Sequence, residues 1–292
     1  MTRPCPGPRE VTSRPSWWPP AHTTDCHMHI FGPFDRYPLS PGRGYTPPEA
    51  TIAMYDAMCA QVGIGRTVIV QPSIYGTDNA VTLDATEALG LHRARAVVVV
   101  DNNVTPAELQ AMGKRGACGV RFNAVSGNGT PLEQLEALAA KLRPLGWHLQ
   151  FYCHAEQILA LEHVLPKLGL PIVIDHMAGI QTRDGGENSA AFAAFIRLLK
   201  GGGNTGPVWA KLCGYRSSTG HPYADVKAMA QQMIAAAPTR CVWGTDWPHP
   251  SLHTPEEVPD DGHLMNLLGE WAPDAAQRQA ILVDNPARLY GF

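Results

Sequence analysis

Residues 24–30 read Thr-Asp-Cys-His-Met-His-Ile, a stretch with the length and the side-chain alternation of a β-strand. Successive side chains on a strand point to opposite faces, so His27 and His29 share one face while Cys26 and Met28 share the other. The two imidazoles lie towards the C-terminal end of the stretch. We therefore predict a first strand that presents two histidines where it ends.

Beyond this strand, short apolar or β-branched runs alternate with segments of helical spacing. The predicted strands span residues 24–30, 67–71, 94–100, 118–123, 147–153, 171–175, 208–212 and 241–245. The predicted helices lie near residues 49–62, 78–90, 105–115, 131–143, 155–168, 189–200, 223–237 and 274–283. Eight such alternations in 292 residues predict a single-domain α/β fold, a (β/α)₈ TIM barrel. The alternative is an open doubly wound sheet, but no G-x-G-x-x-G follows the first strand.

We assign the barrel to residues 23–292 and predict an irregular N-terminal tail over residues 1–22. The tail is rich in Pro, Arg, Ser and Trp, lacks the apolar segment of a signal peptide, and is expected to fold back on the barrel. Three long loops follow predicted strands, at residues 31–48, 177–188 and 247–263. Because a barrel builds its active site at the C-terminal ends of its strands, we expect the functional residues there.

Composition argues against several functional classes. The chain carries 23 basic and 26 acidic side chains without a long run of like charge, which disfavours a nucleic-acid partner. No apolar run reaches the roughly 18–20 residues that span a bilayer, so we expect no membrane association. Seven scattered cysteines without a C-x-x-C pair predict reduced thiols in a cytoplasmic protein.

Polar residues that can carry chemistry end three of the predicted strands. His27 and His29 end the first, His176 follows the sixth, and Asp246 follows the eighth. Taken alone, each of these residues has a purely structural explanation, such as a hydrogen-bonded core histidine or a turn aspartate. Together, imidazoles at a barrel mouth suit a metal ion or an oxyanion, and a carboxylate among them can act as a general base on water.

In this combination the sequence resembles the amidohydrolase superfamily over about residues 22–292. Within it, the chain resembles the 2-pyrone-4,6-dicarboxylate lactonase group, near the 4-sulfomuconolactone hydrolases. The segments that carry the resemblance are residues 25–31, 70–73 with 76–79, 119–123, 174–177 and 243–250. The resemblance implies a hydrolase that opens a small anionic lactone in aromatic-compound catabolism.

The resemblance also implies roles for individual residues. Asp246 takes the place of the general base, and His27, His29 and His176 take the places that polarise the lactone carbonyl. Substrate-binding positions are implied at Arg121, Arg216, Ser73, Thr77, His249 and, in the first long loop, Tyr45. The guanidinium group of an arginine is a planar, permanent cation that suits a carboxylate or sulfonate, although a surface ion pair is the alternative for each arginine.

The fifth predicted strand bears on a metal site. Its polar and apolar residues alternate, so Tyr152 and His154 are expected to face inward, and Tyr152 becomes a further substrate-binding candidate. His154 with His27, His29 and Asp246 would supply a ligand set for one Zn²⁺. The lactonase resemblance implies catalysis without a metal, whereas the related 4-sulfomuconolactone hydrolases are zinc-associated. His154 has an alternative role, because it can cap the next helix instead of binding a metal. Both a zinc site and a metal-free site therefore stay open.

Other functions of the same fold also stay open. Sugar-lactone isomerases resemble the C-terminal half, including residues 222–226. Sugar lactonases of the same fold are another alternative, and so are decarboxylases of the superfamily, which use the same ligands. A non-catalytic binding protein is a further alternative. The presence of both H-x-H histidines and Asp246 favours hydrolysis. The sequence identifies neither the particular lactone nor the oligomeric state, and it is compatible with a homo-oligomer.

Overall fold

Eight parallel strands form the centre of the computed structural model, which describes residues 2–126, 128–203 and 206–292. The strands pair in the order in which they occur along the chain, which confirms the predicted barrel. They are β1 (Thr24–Met28), β2 (Arg66–Val70), β3 (Ala94–Val98), β4 (Ala117–Asn123), β5 (His148–Tyr152), β6 (Ile172–Ile174), β7 (Val208–Leu212) and β8 (Cys241–Trp243).

The barrel closes between β1 and β8 through residues at and just beyond the ends of these strands. Met28 forms a parallel bridge with Trp247, and the His29 amide donates to the Trp247 carbonyl at 2.8 Å. The Asp246 amide donates to the His27 carbonyl at 2.7 Å. These bonds hold both histidines of the first strand beside Asp246, although the two segments are more than two hundred residues apart.

Helices follow the strands and cover the outside of the barrel. They are α1 (Ile52–Val62), α2 (Ala80–Leu89), α3 (Pro106–Lys114), α4 (Leu135–Leu142), α5 (Ala155–Leu161), α6 (Ala190–Lys200), α7 (Lys227–Ala236) and α8 (Asp261–Trp271). The chain ends in α9 (Ala275–Gln279), a π-helical turn (Ala280–Asp284) and α10 (Asn285–Tyr290). At the start of α3, Thr105 and Glu108 form a capping box.

Helix α8 corrects the sequence analysis, which predicts a loop over residues 247–263 and no helix after it until residue 274. The helix begins at an aspartate cap, since the Asp260 side chain accepts from the His263 amide at 3.0 Å. Gly262 and Gly269 interrupt the helical pattern of this stretch of sequence, because glycine is a poor helix former. Both glycines face the N-terminal segment of the chain: a Cβ on Gly269 would lie 2.5 Å from Trp17 Nε1.

Residues 2–13 lie against the end of the barrel that carries the long loops, whereas residues 16–22 run along α8 to the C-terminal end of α1, where Pro19 lies beside Gly63. The one regular element of residues 2–22 in the described part of the chain is the two-residue strand Arg3–Pro4, which pairs with Tyr45–Thr46 in the loop after β1. Further along, the Ser13 amide donates to Asp260 Oδ2 at 2.9 Å. The segment therefore connects the loop after β1 to the start of α8.

The interior of the barrel is filled by a small cluster of side chains that is separate from the layer between strands and helices. It comprises Cys26, Val68, Val70, Val97, Val173, Trp209, Val242 and, from the C-terminal helix, Tyr290. Cys26 is a correction, because alternation predicts that it faces away from His27. The register of β1 shifts between Asp25 and Met28, so Cys26 and His27 both stand opposite Val68 in a bulge.

All seven cysteines are free, and six of them are buried, whereas Cys118 is half-buried. Among the described residues, no helix combines the length and the apolar character needed to cross a membrane.

Candidate active site

A cleft of about 370 Å³ opens at the C-terminal ends of the strands. The predicted site residues that line it are His29, Tyr45, Ser73, Arg121, Tyr152, His176, Arg216 and Asp246. Further lining residues, which the sequence analysis does not single out, are Gly44, Asn123, Val125, Ser126, Pro250, Ser251 and His253. A second cavity of about 490 Å³ adjoins the cleft across Tyr152, His176 and Arg216. We place the site in the first cavity because Asp246 and Arg121 line only that one.

Asp246 lies at the turn that follows β8, with a left-handed backbone (φ 64°) and only 1% of its surface exposed. Its Oδ2 atom accepts hydrogen bonds from Arg216 Nε at 2.5 Å and from the Tyr215 hydroxyl at 2.7 Å. Its Oδ1 atom faces His29 Nε2 at 3.2 Å and His27 Nε2 at 3.5 Å. The two carboxylate oxygens therefore differ: two donors occupy Oδ2, while Oδ1 is directed at the imidazoles.

The charges around Asp246 keep its carboxylate ionised. Burial by itself would raise the pKa of Asp246, but the Arg216 guanidinium outweighs burial and holds the pKa well below its usual range. Burial by itself would lower the pKa of Arg216, but the contact with Asp246 and the buried Tyr215 raise it well above its usual value. The site thus contains a buried ion pair whose anionic member can accept a proton.

The two histidines of the first strand are neutral and differ in their partners. Burial lowers the pKa of His29, and burial together with Lys211 lowers the pKa of His27 well below its usual value. Nδ1 of His29 lies 2.7 Å from the Val70 carbonyl, which can only accept, so Nδ1 carries the hydrogen and Nε2 has the lone pair. Among the described residues, Nε2 of His27 has no hydrogen-bond partner.

His176 follows β6 on an unusual stretch of backbone. His176, Met177 and Ala178 are all left-handed, with φ values of 48°, 51° and 62°. This conformation is costly for residues with a side chain and is typical of functional sites. The His176 ring lies 4.7 Å from the His27 ring and 4.8 Å from the Tyr152 ring. Its Nδ1 has no hydrogen-bond partner within residues 2–126, 128–203 and 206–292. Burial lowers the pKa of His176 to about 3, so this imidazole is neutral as well.

A buried charged network supports the cleft from below. Lys211 Nζ lies 3.0 Å from Asp175 Oδ1 and 3.3 Å from His27 Nδ1, and Arg121 Nε lies 3.3 Å from Asp175 Oδ2. Burial alone would raise the pKa of Asp175, but Lys211, His27 and Arg121 hold it well below its usual range. The network therefore fixes the positions of one substrate-binding candidate, Arg121, and one catalytic candidate, His27.

The sequence analysis includes Asp175 only within the segment 174–177 that carries the resemblance, and it overlooks Lys211 and Tyr215. Lys211 could have been found from its pattern, since it is a lysine within the otherwise apolar strand β7 and is fully buried. Tyr215 carries no comparable sequence pattern. Its importance follows only from the hydrogen bond to Asp246, which lies in another loop.

Four predicted site residues do not line the cleft. His27 is fully buried, with its Nε2 3.5 Å from Asp246 Oδ1. Thr77 is exposed on a different surface, beside α2 and α3. His249 is buried, and its Nε2 lies 3.1 Å from Asp261 Oδ1. His154 is exposed at the N-cap of α5, where its amide donates to Gln157 Oε1 at 2.8 Å.

The position of His154 corrects the proposed four-residue zinc set. Strand β5 ends at Tyr152, so the alternation of inward-facing residues does not continue to His154. The ligand atoms of His27, His29 and Asp246 do lie within 4.8 Å of one another, and all three residues are buried. A cation there would meet the free lone pair of His29 and the unpartnered Nε2 of His27. These three residues fit a catalytic zinc ion, which typically has three protein ligands and an open position for water.

Comparison with known proteins gives consistent matches over the whole barrel. The amidohydrolase family profile matches residues 24–292. The chain is 37% identical to a 4-sulfomuconolactone hydrolase of Rhizobium radiobacter, over 99% of this chain and 96% of that protein. It is also 37% identical to a 2-pyrone-4,6-dicarboxylate hydrolase of Comamonas testosteroni, over 95% of this chain and 93% of that protein. A crystal structure of an Agrobacterium tumefaciens protein superposes with a TM-score of 0.88 at 30% identity, covering 97% of this chain and 99% of the other.

Proposed function

This chain belongs to the amidohydrolase family, and we propose that it is a hydrolase that opens a small anionic lactone from aromatic-compound catabolism. The observation that carries the proposal is the position of Asp246. Its Oδ1 atom faces two neutral imidazoles, while Arg216 and Tyr215 occupy Oδ2. A carboxylate held in this way can take a proton from a water molecule in the cleft.

In the first step, the water oxygen attacks the lactone carbonyl carbon and its proton passes to Asp246 Oδ1. The carbonyl oxygen becomes an oxyanion, which needs hydrogen-bond donors. A donor (Lys211) and an acceptor (Asp175) both lie beside His27 Nδ1, so His27 can present either a hydrogen or a lone pair at Nε2. The imidazole N–H groups of His27 and His176 can donate hydrogen bonds to the oxyanion. One well-placed donor stabilises the transition state by about 3–4 kcal/mol.

In the second step, the bond between the former carbonyl carbon and the ring oxygen breaks. The proton held on Asp246 passes to the departing ring oxygen, which leaves Asp246 ionised for the next cycle. Arg121 and Arg216 bind the anionic substituents and so position the carbonyl over Asp246. When a substrate anion shares the charge of Arg216, the carboxylate of Asp246 loses part of its stabilisation and becomes a stronger base.

His27, His29 and Asp246 are also the residues that we propose to hold a zinc ion. When bound, such an ion supplies polarisation of the lactone carbonyl and a lower pKa for bound water. Two positive charges lie next to this site, Arg216 beside Asp246 and Lys211 beside His27, and they repel a further cation. We therefore expect weaker zinc affinity than at a site without these two charges.

Metal analysis tests this zinc site. We expect about one zinc per chain in a native preparation, and we expect His29→Ala to lose it because a ligand is removed. His154→Ala is the matched control and should keep the metal, since His154 is exposed at the N-cap of α5. Full activity in a preparation shown to be metal-free would rule out an essential zinc ion and would leave the role of Asp246 unaffected.

Arg121→Met is expected to raise KM for an anionic lactone and to change KM little for an uncharged analogue. The Arg121 guanidinium lies at the cleft and is held by Asp175, so it offers a fixed charge to the substrate. Losing a charged hydrogen bond costs roughly 1.5–3 kcal/mol of binding. Steady-state kinetics with the two lactones would measure the difference. Equal losses on both would show that Arg121 supports the structure and does not recognise charge.

Product analysis separates this function from the alternatives. A hydrolase yields the ring-opened acid, a sugar-lactone isomerase yields a rearranged lactone, and a decarboxylase releases carbon dioxide. We expect the ring-opened acid from a panel of anionic lactones incubated with the pure protein. A rearranged lactone as the main product would instead support the isomerase.

We also propose the setting in which the enzyme acts. The seven free thiols suit the reducing cytoplasm, and the formal charge of −3 gives no support for a nucleic-acid partner. The partner that the site requires is the small anionic lactone itself. We keep the division into a barrel at residues 23–292 and an N-terminal segment at residues 1–22, with the segment packed on the barrel surface.

A further inference from the structure

We propose that Tyr215, His249 and Asp261 are positioning residues that hold the Asp246 carboxylate with Oδ1 towards the cleft. The inference rests on the proposed function, in which Asp246 is the general base. It gives His249 a different role from the substrate contact that the sequence resemblance implies. It also gives a role to two residues, Tyr215 and Asp261, that the sequence analysis did not single out.

The first link is the hydrogen bond from Tyr215 to Asp246. The hydroxyl donates to Oδ2 at 2.7 Å, and only 7% of the Tyr215 surface is exposed. Arg216 donates to the same oxygen, but it also lines the cleft and is needed there for the substrate anion. Tyr215 does not line the cleft and has no such second task. It can therefore keep Oδ2 in place when Arg216 turns towards the substrate.

The second link is the support of Tyr215 by His249. The two rings meet edge to face, with centroids 5.3 Å apart and an angle of 86° between their planes. His249 also donates its backbone N–H to the Asp246 carbonyl at 2.7 Å. His249 therefore contacts the general base through its backbone and the Tyr215 ring through its imidazole.

The third link fixes His249 itself. Its Nε2 lies 3.1 Å from Asp261 Oδ1, and the two side chains are 0% and 3% exposed. Asp261 begins α8, and the preceding residue, Asp260, is held by Ser13 of the N-terminal segment. Because a carboxylate accepts from the imidazole N–H, Asp261 sets the orientation of the His249 ring. A buried pair with no access to the cleft has no evident use in substrate binding.

Kinetics of single variants tests this chain of contacts. We expect Tyr215→Phe to lower kcat roughly 10–100-fold while KM changes less than about threefold, because the loss concerns the alignment of the base and not substrate binding. His249→Gln and Asp261→Asn should each lower kcat roughly 5–20-fold, and the double variant should be little worse than either, since both act through one contact. Tyr223→Phe and His263→Gln are the matched controls and should leave kcat unchanged.

Two outcomes would overturn the proposal. If His249→Gln raises KM while Asp261→Asn has no effect, then His249 contacts the substrate. If the three variants lower the unfolding temperature but leave kcat unchanged, then the group is only structural.

A crystal structure of Tyr215→Phe adds a readout that does not depend on turnover. We expect the Asp246 carboxylate to be rotated or to adopt several orientations, and an unchanged carboxylate would contradict the proposal. If the wild-type protein opens no lactone at all, the proposed function fails, and this comparison still decides whether Tyr215 positions Asp246.

Discussion

Asp246→Asn is expected to lower kcat for lactone opening by about 10²–10⁴-fold, the usual contribution of a general base. The amide has nearly the same shape as the carboxylate, but it cannot take a proton from water. Asp246 is the carboxylate that lines the cleft beside both His27 and His29. The measurement is steady-state kinetics with an anionic lactone, with circular dichroism to confirm that the fold is retained.

Asp184→Asn is the matched control, because 71% of the Asp184 side chain is exposed and, in the part of the chain that the structure describes, its ion-pair partner is its neighbour Arg183. We expect this control to have wild-type kinetics. Retention of more than about a tenth of kcat in Asp246→Asn would remove Asp246 as the general base, since the loss would fall short of what such a group contributes.

Lys211→Met is expected to lower the free energy of unfolding by about 3–5 kcal/mol, the typical cost of removing one partner of a buried ion pair. Lys211 and Asp175 are both fully buried, with Nζ and Oδ1 3.0 Å apart. Urea denaturation followed by fluorescence would measure the loss. Lys227→Met is the matched control, because its partner Glu270 is 3.6 Å away and both side chains are about half exposed.

The same network predicts a dependence on pH. The pKa of Asp175 is lower in the folded protein than in the unfolded chain, so its ionised form stabilises the fold above the unfolded pKa of about 4. That contribution is lost as the pH falls through the lower folded value. Acidification should therefore destabilise the wild type more than Lys211→Met. Equal stability of the wild type and Lys211→Met at neutral pH would show that Lys211 contributes no net stabilisation.

The barrel could be predicted from sequence because its strands are buried on both faces. Such strands appear in the sequence as short apolar runs, and each of the eight begins within a residue or two of its predicted first residue. The bulge at Cys26 and His27 could not be predicted, because it depends on the pairing with β2. Helix α8 was missed because its glycines are explained only by the N-terminal segment that packs on them.

The candidate site was predictable where a residue directly follows a strand. Asp246, His29 and His176 meet this condition, and the barrel brings all three to one cleft. The structure does not bring His154 to this cleft, because β5 ends two residues before it. Tyr215 and Asp261 contact residues in other segments of the chain, Asp246 and His249, and single-sequence patterns carry no information about such pairs.

Oxygen-isotope labelling of the product tests the central claim most directly. The pure protein would be incubated with an anionic lactone in ¹⁸O-labelled water for a single turnover, and the product would be analysed by mass spectrometry. If Asp246 activates water for attack on the lactone carbonyl, the product is the ring-opened acid with one ¹⁸O atom in its new carboxyl group. A rearranged lactone without label, or a ring-opened acid labelled on the released hydroxyl and not on the carboxyl group, would contradict hydrolysis by this mechanism.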